Sequence, residues 1–593
     1  MSNNAANSID AKSKTLMELL FKKKYQVKYF QREYKWQKNN IEDLIVDLER
    51  SFMANYSVEH TRDNVPDYDC YYMGPVVLYR EKTTFVIVDG QQRLTSFTLL
   101  LIYLIHLQNE VFKGKTKKNQ NLDEYIFSQP FESETLNLEI PEREPILKCL
   151  FEGREVKDSY ISNESSQNIY DRFIDIADLF PITLKHEMVL PLFINWLTAK
   201  LIFIEILAQS SDSAYTIFES MNDRGLKLTQ TELLKSYLLS NVKDEVKIKE
   251  LDSAWKRKIA LFKTYSNDED ELFFKAWLRA KYAVSIRPPE KGATNQDFEK
   301  IGTRFSNWAQ DSAKRLLGLD VNKPETFFFF VHSDFHYYSD LYIKISELEV
   351  SEELPEHNFK LISYKGISAS LSYPFILSPI TIIDDPETIN EKTNLCVSFL
   401  DSFAVYRLLL NLAITQSSID YAINKLIKEI RDCTPNELKT SFKNEIENYK
   451  NKFLQDVDYV KYDASNSKYI LSRLFKNRNK DIPFENIYFQ RRKESFALYQ
   501  FFTFNDVDIE VHKITKGLKD IFIGSVCSFV IVPRQVTHEL DSLNIIKRIQ
   551  YLIKNGYLPE FENVNEFDPN NLKDFFMKRN KRMKEQIINY WKI

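Results

Sequence analysis

Residues 86–100, VIVDGQQRLTSFTLL, decide how this chain begins to fold. Val86 to Val88 are β-branched and apolar, the composition of a buried strand. From Gln91 onward apolar residues recur at helical spacings as far as Leu107. Asp89 and Gly90 stand between, so the pattern predicts a strand that turns at Gly90 directly into the helix QQRLTSFTLLLIYLIHLQ. The unsatisfied N–H groups and positive dipole end of such a helix favour an anion. Gly90 permits close approach of the backbone to a ligand. Gln91 and Gln92 supply amide donors, and Arg93 carries a fork matched to phosphate oxygens. Asp89 is suited to hold magnesium, which binds through one or two carboxylates plus phosphates. The same five residues also read as an Asp N-cap with a surface arginine, and DGQQR alone does not choose.

Upstream, KTLMELLFKK reads as a helix, YQVKYF as a short strand, and NIEDLIVDLERSF as an amphipathic helix after FQREYKW. YYMGPVVLY and TFVIVDG read as strands. From about 120 to 450 the pattern is overwhelmingly helical, as in LFINWLTAKLIFIEIL, TQTELLKSYLLSNV and FAVYRLLLNLAI. SIRPPEKGATNQ (285–296) reads as a linker. Towards the end, DVDIEVHKI and SVCSFVIVP read as strands and LKDFFMKRNKRMKEQIINYW as a closing helix. The expected fold class is α+β and mostly helical. It has an α/β domain at 1–115, a helical extension at 116–284, a helical relay at 285–454 and a small α/β unit at 455–593.

Composition narrows the classes of function. Lys and Arg number 80 against 84 Asp and Glu, a net charge of −4, which excludes a uniformly basic surface but permits a local basic groove. Only 12 of 593 residues are glycine, which disfavours turn-rich β architectures. Five scattered cysteines without a CxxC pair suit a reducing compartment and exclude a cysteine-built zinc site. No run of about 18 apolar residues appears, and the opening MSNNAANSIDAKSK has no apolar core of a secretory signal. A cytoplasmic protein without membrane association is expected. His332 and His336 are spaced four apart, but no third ligand accompanies them, so they read as a core or surface pair.

Four motifs stand in order: FQREYKW, the strand with MGPVVLY, DGQQR, and FESMNDRGLKLTQTELLKSYLL. This set resembles the N-terminal domain family of GmrSD-type modification-dependent restriction endonucleases, found also in SspE-type phage-defence proteins. The resemblance spans about residues 10–280. It implies a ParB/sulfiredoxin-like fold that binds and hydrolyses a nucleoside triphosphate (GTP, ATP or UTP) with Mg2+ or Mn2+. Carried over by position, Gln31, Arg32, Tyr34, Gly90, Arg93, Asn222 and Arg224 become nucleotide-binding residues. Asp89, Gln91, Gln92 and Arg93 become catalytic, with Asp89 as metal ligand. Lys28 and Glu33 stand where the family commonly has proline. Asn222 to Gly225 read equally as a helix C-cap ahead of a capping box, Thr229 to Glu232.

Members of that family often end in an HNH-type nuclease of the ββα-metal fold, and the last 140 residues are similar to it in pattern. His512 then takes the place of the general base and His538 that of a metal ligand, while Ser528 or Ser525 replaces the usual Asn. The implied function is nucleotide-dependent antiphage restriction, with nicking or cleavage of double-stranded DNA, modified or of phage origin. The other reading is an NTP-switched DNA-binding or regulatory subunit whose nuclease unit is inactive and whose effector is a partner defence protein. Both readings accommodate a homo-oligomer.

Overall fold

The computed structural model describes residues 10–28, 33–81, 84–113, 120–131, 133–140, 142–161, 163–210, 213–214, 217, 229–288, 290, 292–350, 366–488, 496–506 and 514–593. The chain divides into two compact units, Met1–Lys256 and Arg257–Ile593. The protein is α+β, mostly helical with a small mixed sheet.

The first unit is built on six strands: β1 (Asp10–Thr15), β2 (Tyr25–Gln26), β3 (Tyr71–Glu81), β4 (Thr84–Asp89), β7 (Leu138–Glu139) and β8 (Leu201–Ala208). A separate hairpin, β5 (Phe127–Phe131) with β6 (Ser133–Leu136), precedes β7. The sheet order is β1-β8-β3-β4-β2-β7. β3 pairs antiparallel with β4 and parallel with β8. β2 runs parallel to both β4 and β7.

Two expectations are corrected here. LIFIEILA, read as the end of a helix, is the strand β8 between β1 and β3. Its residues are apolar at almost every position because both faces of the sheet are covered, and a continuous apolar run does not separate strand from helix by period. A boundary at 115/116 also cuts the sheet, since β7 and β8 come from beyond it.

Helices α1 (Leu16–Leu20), α2 (Lys38–Met53), α3 (Gln91–Val111), α4 (Glu144–Phe151), α5 (Glu164–Leu179) and α6 (Leu190–Lys200) bury one large core against the sheet. α2 buries Ile41, Leu44, Ile45, Leu48 and Phe52, the stripe its spacing predicts. α3 is the one described helix long and apolar enough to cross a membrane, and two-thirds of its most apolar window is buried inside the protein. A smaller core collects Val77, Val86, Val88, Ile206, Ala208 and Ala214, with Ile217 and Leu233 packed against it. Leu233 belongs to α7 (Gln230–Ser240), and α8 (Glu245–Lys263) follows.

The second unit is largely helical. Its closing part holds an antiparallel pair, β9 (Phe496–Gln500) with β10 (Phe529–Pro533), and the long helix Leu572–Tyr590. FVIVP is a strand as expected, but its partner is FALYQ, which the sequence pattern did not reveal. DIEVH, ending at His512, lies outside the described residues.

Candidate active site at the start of α3

β4 ends on Asp89, and the chain enters α3 through Gly90, which is the N-cap with φ 97°. An L side chain is strained at that angle, and a Cβ there would press on Val76. Asp89 is therefore a strand residue and not the cap. The first helical bond runs from the Leu94 N–H to the Gly90 carbonyl, 2.9 Å. The N–H groups of Gln91, Gln92 and Arg93 have no intrahelical acceptor, and among the described residues no side chain caps them. Twenty-one residues of aligned peptide dipoles stand behind them.

Arg93 is not a surface residue: its side chain is only 17% exposed. One guanidinium nitrogen donates to the Met73 carbonyl at 3.2 Å, and the other donates to Asp89 Oδ2 at 3.1 Å. It passes directly over Gly74, where a Cβ would overlap the Arg93 Nη1. Gly74 lies at a bulge in β3 with φ 117°. It is a site residue that sequence reasoning missed, and its only signal was a glycine inside a strand pattern. Burial pushes the Asp89 carboxyl up, and Arg93 and the Gly90 N–H only partly oppose this, so it stays above the usual carboxylate range. Asp89 is thus held by a guanidinium, and no group of three or more His, Cys, Asp or Glu is placed to hold a metal ion among the described residues. Asp89 anchors Arg93, and it is the one carboxylate of the turn, in keeping with magnesium held by one or two carboxylates together with phosphates.

The two glutamines differ. Gln92 Oε1 accepts from the Lys35 N–H at 2.8 Å, and its Nε2 donates to the Glu33 carbonyl at 2.7 Å. Both ends of this amide hold the backbone of the segment after Gln31 and Arg32, so Gln92 clamps that segment. Gln91 is 7% exposed, and its Oε1 is buried without a hydrogen-bond partner among the described residues. An orphaned buried acceptor costs about 1–3 kcal/mol.

Tyr34 is also corrected, from nucleotide contact to core. It is fully buried, its hydroxyl shares a 2.7 Å bond with Ser96 Oγ, and its carbonyl accepts from Asn168 Nδ2. Burial raises the phenol well above its ordinary range. Trp36 is partly buried, and its carbonyl accepts from Arg172.

Gln31, Arg32, Asn222 and Arg224 lie outside the described residues. What borders them converges on the same place. Lys35 pairs with Glu232 at 3.3 Å, joining the QREYKW segment to the start of α7. Thr229 and Glu232 form the expected capping box, with bonds of 3.2 and 2.9 Å.

In the second unit His512 lies outside the described residues. His538 is exposed on the five-residue helix Thr537–Asp541 after β10. Among the described residues no cluster of ligating side chains surrounds it. Ser525 and Ser528 are buried, and both hydroxyls donate to the Phe522 carbonyl. In the basic tail, Arg579 is buried and donates to the carbonyls of Cys527 and Phe529, while Arg582 pairs with Glu566. Those charges fasten the closing helix to the β10 region. His332 stacks on Phe328 within a stretch of π-helix, Phe330–Phe335.

The fold and site define an α+β protein whose candidate site is a glycine-capped strand-to-helix turn carrying an anchored arginine. Residues 16–239 match the family model described as GmrSD restriction endonuclease, N-terminal domain, and all four ordered motifs fall inside the match. The chain is similar to that family over this stretch. A search of curated proteins found no match for the chain.

Proposed function

We propose that the first unit binds and hydrolyses a nucleoside triphosphate (GTP, ATP or UTP) at the Asp89–Arg93 turn, within a ParB/sulfiredoxin-like fold. The observation that carries this reading is the start of α3, where uncapped N–H groups, an anchored guanidinium and an orphaned buried acceptor meet. Phosphoryl transfer asks mainly for positioning and charge neutralisation. The N–H groups of Gln91 to Arg93 donate to phosphate oxygens. Arg93 uses two of its five donors on Met73 and Asp89 and keeps three for the phosphates. Gln91 Oε1 accepts a hydrogen bond from the attacking water and so orients it. Gln31, Arg32, Asn222 and Arg224 close the site, and Mg2+ or Mn2+ enters with the nucleotide, with Asp89 as the protein carboxylate that would hold it.

The chain is read as a cytoplasmic restriction-type defence protein that acts on DNA. The triphosphatase governs a divergent HNH-like unit at 455–593 that nicks or cleaves through His512. Isothermal titration of the full chain with ATP, GTP and UTP, together with phosphate-release and plasmid-nicking assays, tests this. Arg93→Ala is expected to weaken nucleotide binding by about 1.5–3 kcal/mol. Gln91→Leu is expected to keep affinity and stability while losing turnover. Equal affinity in wild type and Arg93→Ala overturns the nucleotide site. Nucleotide turnover with nicking unchanged in His512→Ala supports the DNA-binding, nuclease-inactive reading instead.

A further inference from the structure

Glu33 is gripped at both ends. Its carbonyl accepts from Gln92 in the first turn of α3 at 2.7 Å, and its carboxylate lies 3.3 Å from the Lys256 ammonium on α8. Lys256 also meets Glu142 at 2.9 Å and Asp252, one turn earlier on the same helix, at 3.0 Å. Asp252 is almost wholly buried and pairs in addition with Lys235 of α7 at 2.6 Å. Arg143, itself buried, lies within electrostatic reach of Glu33 and Glu142. Three carboxylates, Glu33, Glu142 and Asp252, thus face three cations, Lys256, Lys235 and Arg143. Burial pulls the Lys256 ammonium down, but Asp252, Glu142 and Glu33 outweigh it and hold it above the ordinary lysine range. Lys256 stays charged, and its departure would take from Glu33 and Glu142 the cation they share.

The placement matters because of what α8 is. It runs Glu245–Lys263, and Lys256 is the last residue of the first unit. The one helix that continues from the first unit into the second therefore carries, at the boundary, the cation that holds the residue following Arg32. We propose that Lys256 is a positioning residue for the site at the start of α3, and that through the Glu33 clamp nucleotide binding and the setting of α8 are coupled. This rests on the nucleotide reading and names its regulation. Linkage is reciprocal: whatever displaces α8 changes nucleotide affinity, and nucleotide in turn steadies α8.

The test uses the full chain and the nucleotide that binds best to wild type. Lys256→Met is expected to raise Kd and KM about 5- to 20-fold with kcat within about threefold, and Lys256→Arg to restore both. Hydrogen exchange across 245–256 is expected to slow on nucleotide addition in wild type and not in Lys256→Met. A merely structural lysine would not move that response. Should Lys256→Met fail to fold, Glu33→Gln breaks the same contact with little change in size, and the same loss of affinity is expected. Unchanged affinity in whichever variant folds, or an exchange response that survives, overturns the coupling while leaving the nucleotide reading intact. A wild-type chain that binds no nucleotide overturns both.

Discussion

Gly74 and Arg93 are one unit of structure. The guanidinium lies where a Cβ would be, and the glycine's φ of 117° is a further reason for the missing side chain. Gly74→Ala is expected to destabilise the first unit by about 1–3 kcal/mol from backbone strain alone. Nucleotide affinity should fall as well, because Arg93 must leave Met73. Thermal melting read beside titration checks this, and a variant with wild-type melting and affinity would show that Arg93 has room to spare. At the same scale the two adjacent glutamines part company. DGQQR contains no hint that Gln92 commits both amide atoms to the Glu33–Lys35 backbone while the Gln91 acceptor has no partner among the described residues.

Among the elements, the helix Asp297–Leu316 shows how one carboxylate fixes an entry. Asp297 accepts from the N–H groups of Val284 and Ser285 at 3.1 and 2.9 Å and from the Trp308 indole at 2.9 Å. Burial pushes its carboxyl up, but the bonds from Trp308 and the Ser285 region prevail and hold it below the usual range. A depressed folded value means stability that is present above the unfolded value, about 3.9, and is lost as pH falls through the folded one. Asp297→Asn should therefore cost about 1–3 kcal/mol near pH 7. The difference from wild type should close in acid, below about pH 3.9. Urea melts from pH 7 to pH 3 measure this, and a gap that widens in acid would contradict the sign. β8 teaches the complementary lesson. LIFIEILA follows the helix LPLFINWLTAK without a glycine or proline between them, so nothing local marks the switch at Leu201. Pairing with β1 on one side and β3 on the other decides it.

At the scale of the whole chain, the second unit is tied across the expected 454/455 boundary by buried charge. Arg473, on the helix Ala464–Arg478, donates to both oxygens of Asp401, on Pro386–Leu409, at 2.8 and 2.7 Å. The Trp591 indole adds a third bond to Asp401 at 3.0 Å. Arg473 is 1% exposed and Asp401 4%. Removing one member leaves the other charged and unpaired in the interior. Asp401→Ala is expected to cost about 3–5 kcal/mol. The loss should appear as a single shift of the second unit's unfolding transition, not as release of 455–593 alone. Limited proteolysis with chemical denaturation distinguishes these, and selective early loss of the closing part would restore a boundary there.

Local chemistry determined much of this protein. The β-branched run before Asp89, the glycine after it and the long apolar helix required a strand-to-helix turn with an open N-terminus. Thr229 and Glu232 required a cap, and the ordered motifs pointed to the family whose model matches residues 16–239. These are properties of residues within a few positions of one another, or of their order along the chain. Tertiary structure alone decided that Tyr34 is core, that Arg93 is anchored over Gly74, that Gln92 is a clamp, and that Lys256 meets Glu33 from 223 positions away. Each of those facts depends on which distant group fills the space beside a side chain. Spacing along one chain does not encode that neighbour, because packing and desolvation are set only when the elements come together.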